Sequence, residues 1–199
     1  MNTHTHTQQE SVLCENLGFK LCSTALDDVF VLERPKHSDH RGVFGKTYNE
    51  KVFKEFNLAT NFKESVFSIS QKNVLRGMHY QQYPFGHAKL VSVLEGEILD
   101  VIFGIGGMLN TRNRGKYFSA ILSDENRKTL FIPDGYAHGF LCLSDRAVVS
   151  YQTTSVYNAE ADRAIHWDSF GYEWPINNPI LSDKDRRAQR FDVLKEIRT

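Results

Sequence analysis

The chain has 199 residues with 24 Lys and Arg against 24 Asp and Glu, a formal net charge of zero, so no global basic field recruits nucleic acid or an anionic membrane. At 22.9 kDa it suits one β-rich domain over residues 12–199 with a substantial core. No stretch is apolar enough to span a bilayer or to open the chain as a leader, and Cys14, Cys22 and Cys142 are odd in number and outside any Cys-x-x-Cys spacing, which excludes a membrane span, a disulfide scaffold and a zinc knuckle and predicts a cytoplasmic protein.

In chain order, residues 1–11 read as a polar low-complexity tail, in which His4 and His6 are solvated rather than metal-ligating. Short β-rich runs follow near Val29 to Leu32, Val66 to Ile69, Lys89 to Leu94, Ile98 to Phe103, Tyr117 to Leu122, Thr129 to Ile132, Gly139 to Leu143 and Ala147 to Tyr151, separated by turn residues. Helices are predicted over Glu50 to Asn57 and Asp183 to Glu196, the second from Phe191, Val193, Leu194 and Ile197 among charges. There is no repeat and no interdomain linker.

The chemistry concentrates in Val74-Leu75-Arg76-Gly77-Met78-His79-Tyr80-Gln81 and in Lys89, ten residues after His79. In a strand, side chains alternate, so His79 and Gln81 point one way and Met78 and Tyr80 the other. Lys89, on a neighbouring strand beyond the loop at 82–87, reaches the same interior, and a lysine in the apolar run up to Leu94 is costly to bury without a purpose. A base beside a buried cation is equipment for carbonyl chemistry. Downstream, Ile132-Pro133-Asp134-Gly135 marks a tight bend, after which His138 enters a strand. Two strands that each bring a histidine inward point to an all-β, cupin-type jelly roll. A cupin metal needs about three protein ligands; His79 is followed by Tyr80 and Gln81, and the next acids, Glu95 and Glu97, flank a turn glycine. No metal and no other cofactor is therefore expected.

Taken together, Asp39-His40-Arg41-Gly42, Arg76 to Gln81, Lys89-Leu90-Val91, Asp100-Val101, Ile132 to Phe140, Tyr151-Gln152-Thr153-Thr154, Trp174-Pro175 and Leu181-Ser182-Asp183-Lys184-Asp185 resemble the dTDP-4-dehydrorhamnose 3,5-epimerase family, in the same order and over about residues 28 to 190. The resemblance implies a cofactor-independent epimerase, acting through an enolate on a nucleoside-diphosphate 4-keto-6-deoxy sugar at C3, C5 or both, and a homodimer. It implies His79 as base, Asp185 as its carboxylate partner, Tyr151 as acid on the opposite face and Lys89 at the oxyanion, where its ammonium would lower the tyrosine's pKa. Arg76, His138, Gln81 and Tyr157 would line the pocket, and Arg41 would meet the diphosphate with a bidentate guanidinium.

Each residue also has a plainer reading. Tyr151 is a good strand former, and Asp185 follows Ser182 and Asp183 as in a capped helix start. A cupin ketoisomerase or a non-catalytic sugar-binding module are the alternative functions; the binding module has no need of contact between Asp185 and His79. The chain departs from the family pattern at the glycine-rich loop Gly104 to Arg114, at Gly45-Lys46 and at Glu64 to Ser68. By similarity these segments lie toward the nucleotide or the pocket mouth, which leaves the base and the sugar open.

Overall fold

The computed structural model describes residues 12–106 and 112–191. Strands β1 to β5 span Val12–Asn16, Phe19–Ser23, Phe30–Glu33, Lys36–Asp39 and Gly42–Gly45, and helix α1 spans Glu50–Glu55. Strands β6 to β9 span Glu64–Gln71, Leu75–Gln81, Lys89–Glu95 and Glu97–Gly104. Strands β10 to β14 span Tyr117–Ser123, Lys128–Ile132, Tyr136–Cys142, Arg146–Thr153 and Asp162–Ala164, and helix α2 spans Asp183–Arg186.

Two antiparallel sheets face each other. The larger has seven strands in the order β1-β2-β3-β11-β8-β13-β6, the smaller five in the order β10-β9-β12-β7-β14, and β4-β5 is a separate hairpin. This is the cupin jelly roll expected from the sequence. Between the sheets, Val31, Val91, Val93 and Val149 of one pack against Ile98, Ile102, Phe118 and Phe140 of the other. The outer faces are covered as well: α1 lays Val52 and Phe53 on Leu21, Leu32 and Leu90, and the carboxyl-terminal segment lays Ile165, Trp174 and Phe191 on Met78, Val101 and Phe103. Burial on both faces is why the strands read as continuous apolar runs rather than as alternation.

Asn49 caps α1, its side-chain oxygen accepting from the Val52 amide at 3.2 Å, and Asn57 at φ +57° ends it in the left-handed conformation that asparagine tolerates. The second predicted helix is interrupted. Asp183–Arg186 is helical, Gln189 then pairs with Ile165 as an isolated parallel bridge, and Phe191, the last described residue, is again helical and packs edge-on to Phe103 at 4.6 Å between ring centres. The rest of the predicted helix lies outside the described residues.

Candidate active site

A cavity of about 350 Å³ opens between the two sheets, within the usual size of small-molecule sites. The smaller sheet supplies His79, Arg76 and Gln81 from β7 and His138 from β12; the larger supplies Lys89 from β8, Tyr151 and Thr153 from β13, and Ser68 from β6. Register explains the convergence. His138 lies directly opposite His79, so both side chains share a face, and the pairing then shifts so that Phe140 opposes Arg76. Strict alternation would send residues 76 and 79 to opposite faces; the bulge between them turns both into the cavity. Gly77 and Gly139 permit it, since a Cβ on Gly77 would stand 2.4 Å from the Gly139 Cα. Lys89 reaches the same interior as expected, but from the sheet across the cavity rather than from a strand neighbouring β7, with Thr153 as its neighbour in register.

His79 Nε2 and Asp185 Oδ1 are 2.5 Å apart, a charge-assisted contact. With Nε2–H donated to the carboxylate, Nδ1 is left to accept a proton. Asp185 is buried, and burial alone would raise its carboxyl. The His79 contact, the Ser182 hydroxyl and the Gly77 amide outweigh that and hold it below the usual carboxylate range. Ser182 also caps α2 by accepting from the Asp185 amide at 3.1 Å, so the plain helix-start reading and the dyad are both true, and the cap places the carboxylate.

Tyr151 is packed against His138, with ring centres 6.2 Å apart, and its hydroxyl lies 3.2 Å from Ser68 Oγ. Burial pushes this phenol well above its usual range, and Asp100 adds to that; the Ser68 hydrogen bond and the charge of Arg76 oppose it only in part. The lowering by Lys89 expected from the sequence does not occur, because the nearby cation is Arg76, whose Nε is itself held by Ser70 Oγ at 2.9 Å. Burial thus favours the protonated phenol at Tyr151.

Lys89 Nζ donates to the His79 carbonyl at 3.0 Å. Burial lowers its pKa to about 8, against the pull of Asp100, Asp162 and Asp134. Since the folded value lies below the free one, the ammonium is present below pH 8 and lost as pH rises through it. Turnover that depends on this charge should fall above pH 8, with an alkaline limb that Lys89→Arg moves out of range; a flat kcat/KM profile up to pH 10 would rule the ammonium out.

Asp100 went unrecognised as a site residue in the sequence. It is wholly buried and meets His138 Nε2 at 2.8 Å, while its Oδ1 finds no partner among the described residues. A carboxylate inside Ile98 to Phe103 was as costly a placement as Lys89 and carried the same signal. His87 also borders the cavity and was missed because it sits in a loop.

Gln81 and Tyr157 line the cavity as expected, with their polar groups engaged within the chain, and Arg41 does not. Gln81 borders the cavity, but its amide is used within the chain: Oε1 accepts from the Asn158 amide at 2.6 Å and Nε2 donates to the Phe85 carbonyl at 2.8 Å. Tyr157 stands at the mouth, 61% exposed, donating to Asp162 at 3.1 Å, and Asp162 is ion-paired with Lys184. Arg41 does not reach its own chain's cavity; it lies exposed on the β4-β5 hairpin, paired with Asp39 at 2.6 Å. Of the departing segments, Glu64 to Ser68 contributes to the cavity wall, whereas no described residue of 104–114 does; Asn113 instead is buried against the Tyr136 hydroxyl at 2.8 Å. Among the described residues no group of three or more His, Cys, Asp and Glu side chains could hold a metal, and no helix is long and apolar enough to cross a membrane.

A jelly roll with a His–Asp pair on one wall and a phenol and an ammonium on the other defines the class: an isomerase equipped for proton transfer beside a carbonyl. The dTDP-4-dehydrorhamnose 3,5-epimerase pattern matches residues 23–192, and the chain belongs to that family. It is 41% identical to the dTDP-4-dehydrorhamnose 3,5-epimerase of Methanothermobacter thermautotrophicus over 84% of this chain and 92% of the relative. The Shigella flexneri enzyme of the same name is also 41% identical, over 84% and 93%. Among solved structures, the dTDP-6-deoxy-D-glucose-3,5-epimerase of Legionella pneumophila, in complex with dTDP-4-keto-L-rhamnose, superposes with a TM-score of 0.83 at 35% identity, covering 88% of this chain and 94% of that one.

Proposed function

We propose that the protein epimerises a nucleoside-diphosphate 4-keto-6-deoxy sugar at C3 and C5 without a cofactor, with the dTDP-linked sugar as the first substrate to test. The contact between His79 and Asp185 at 2.5 Å carries this reading, because a sugar-binding module has no use for a buried carboxylate that fixes a histidine tautomer. The ketone acidifies the hydrogens on its neighbouring carbons. His79 Nδ1 removes one; the C–H pair becomes the enolate double bond, and the carbonyl pair moves onto oxygen beside the Lys89 ammonium. Tyr151 returns a proton to the opposite face, and the configuration inverts. Arg76 and His138 shape the pocket around the sugar, Asp100 orients His138, and Tyr157 offers its ring at the mouth. Conversion of the keto sugar to its epimers, followed by NMR with EDTA present and no nicotinamide added, tests the reading; binding without conversion would favour the module.

The protein is proposed to act as a homodimer. Strands β1 and β6 are the two open edges of the larger sheet. Val66, Phe67 and Ile69 on β6 and Val43 and Phe44 on the hairpin are exposed, Phe67 by 70%. Apolar strips on open edges call for cover, and a two-fold interface supplies it. Arg41, out of reach within one protomer, would then meet the diphosphate across that interface. Sedimentation at micromolar concentration should give a dimer, and a monomer throughout would exclude it.

A further inference from the structure

His87 ends the loop between β7 and β8, two residues before Lys89, and its ring borders the same cavity as Lys89, His79 and His138. Its Nδ1 lies 3.0 Å from Gln81 Nε2 and 3.2 Å from Ser155 Oγ. The Gln81 amide cannot be turned round: its oxygen already accepts from Asn158 and its nitrogen donates to Phe85. With one amide hydrogen on Phe85, the nearest acceptor for the other is His87 Nδ1 at 3.0 Å, ahead of Ser155 Oγ at 3.3 Å and the Val156 carbonyl at 3.4 Å, which assigns the ring proton to Nε2. Protonating Nδ1 as well would set donor against donor. Burial and the adjacent Lys89 charge, with a smaller push from His138 against the pull of Asp162, lower the imidazole to about 4. The ring is thereby held neutral near pH 7, and its Nε2–H finds no acceptor among the described residues.

Packing alone gives this largely exposed loop no reason to hold one tautomer so firmly. We propose that His87 is a second donor to the substrate's 4-keto oxygen, its neutral imidazole Nε2–H and the Lys89 ammonium together holding the enolate oxygen; this rests on the epimerase reading above. No proton leaves His87 in the step. His79 takes the carbon-bound proton, the electron pair ends on the ketone oxygen, and that oxygen gains one neutral and one charged hydrogen bond. A neutral imidazole suits the role because it donates strongly yet holds its proton, the use that triosephosphate isomerase makes of a neutral histidine. A second ammonium there would instead repel Lys89. Gln81 thereby becomes a positioning residue that sets the His87 tautomer.

The test pairs kinetics with a readout independent of turnover. Long-range ¹⁵N NMR of the intact protein between pH 6 and 9 should show His87 neutral with its proton on Nε2; an imidazolium, or a proton on Nδ1, overturns the proposal. His87→Leu should lower kcat on the order of 10²-fold with KM little changed, since an oxyanion donor acts in the transition state. His87→Gln, which keeps an amide donor and an acceptor for Gln81, should recover much of the loss and guards against a folding defect in the leucine variant. A leucine variant that matches the parent, or one that loses only KM, overturns the proposal while the epimerase reading stands. A parent protein that converts no keto sugar overturns both.

Discussion

Replacing His79 with asparagine should abolish solvent exchange at both carbons beside the ketone. General-base catalysis supplies on the order of 10²–10⁴-fold, and no other residue on that wall is poised to substitute: His138 Nε2 is taken up by Asp100, and Asp185 lies behind the histidine ring rather than in front of it. Asparagine keeps the ring's approximate bulk and a donor for Asp185, so the fold should persist. Asp185→Asn should be milder yet large, because it leaves the imidazole in place and removes what fixes its tautomer. Exchange retained by the His79 variant would move the base elsewhere, and a silent Asp185 variant would break the dyad.

Tyr151→Phe should separate deprotonation from inversion. With the base intact, deuterium from solvent should enter the carbon beside the ketone while the configuration is retained, because His79 can hand a solvent-derived deuteron back to the face it came from. The ring contacts with His138 and Phe140, at 6.2 and 6.5 Å, survive in phenylalanine, and only the hydroxyl that meets Ser68 is lost. NMR of recovered substrate distinguishes the outcomes. Inversion at the parent rate would make Tyr151 a packing residue and place the acid elsewhere.

Much of this was legible in the chain because strand chemistry is local. The alternation that sets His79 and Gln81 on one face held, and so did the strand positions from residue 29 to 151, within a few residues at their ends. What could not be read was set by tertiary contacts. Arg76 joins His79 only through the bulge at Gly77, whose reason is a glycine on another strand. Lys89 faces His79 from the opposite sheet, a relation that spacing does not encode. The helix predicted over 183–196 is broken where Gln189 bridges Ile165, a pairing that the apolar periodicity does not reveal. Gln81 lines the cavity on the face it shares with His79, but only the loop beside it shows that its amide also serves His87 and Asn158. For Tyr151, the direction of the pKa shift depended on which cation came near and how deeply the ring was buried, neither of which a sequence states.

The central claim is that one active site removes and replaces the protons on both sides of the ketone. Incubating the unmodified protein with the dTDP-linked 4-keto-6-deoxy sugar in deuterated water, and reading C3 and C5 by NMR, tests it most directly. The account predicts deuterium at both carbons with inverted configuration, in the presence of EDTA and without added cofactor. Product carrying solvent deuterium at only one of the two carbons, or at neither, would contradict it.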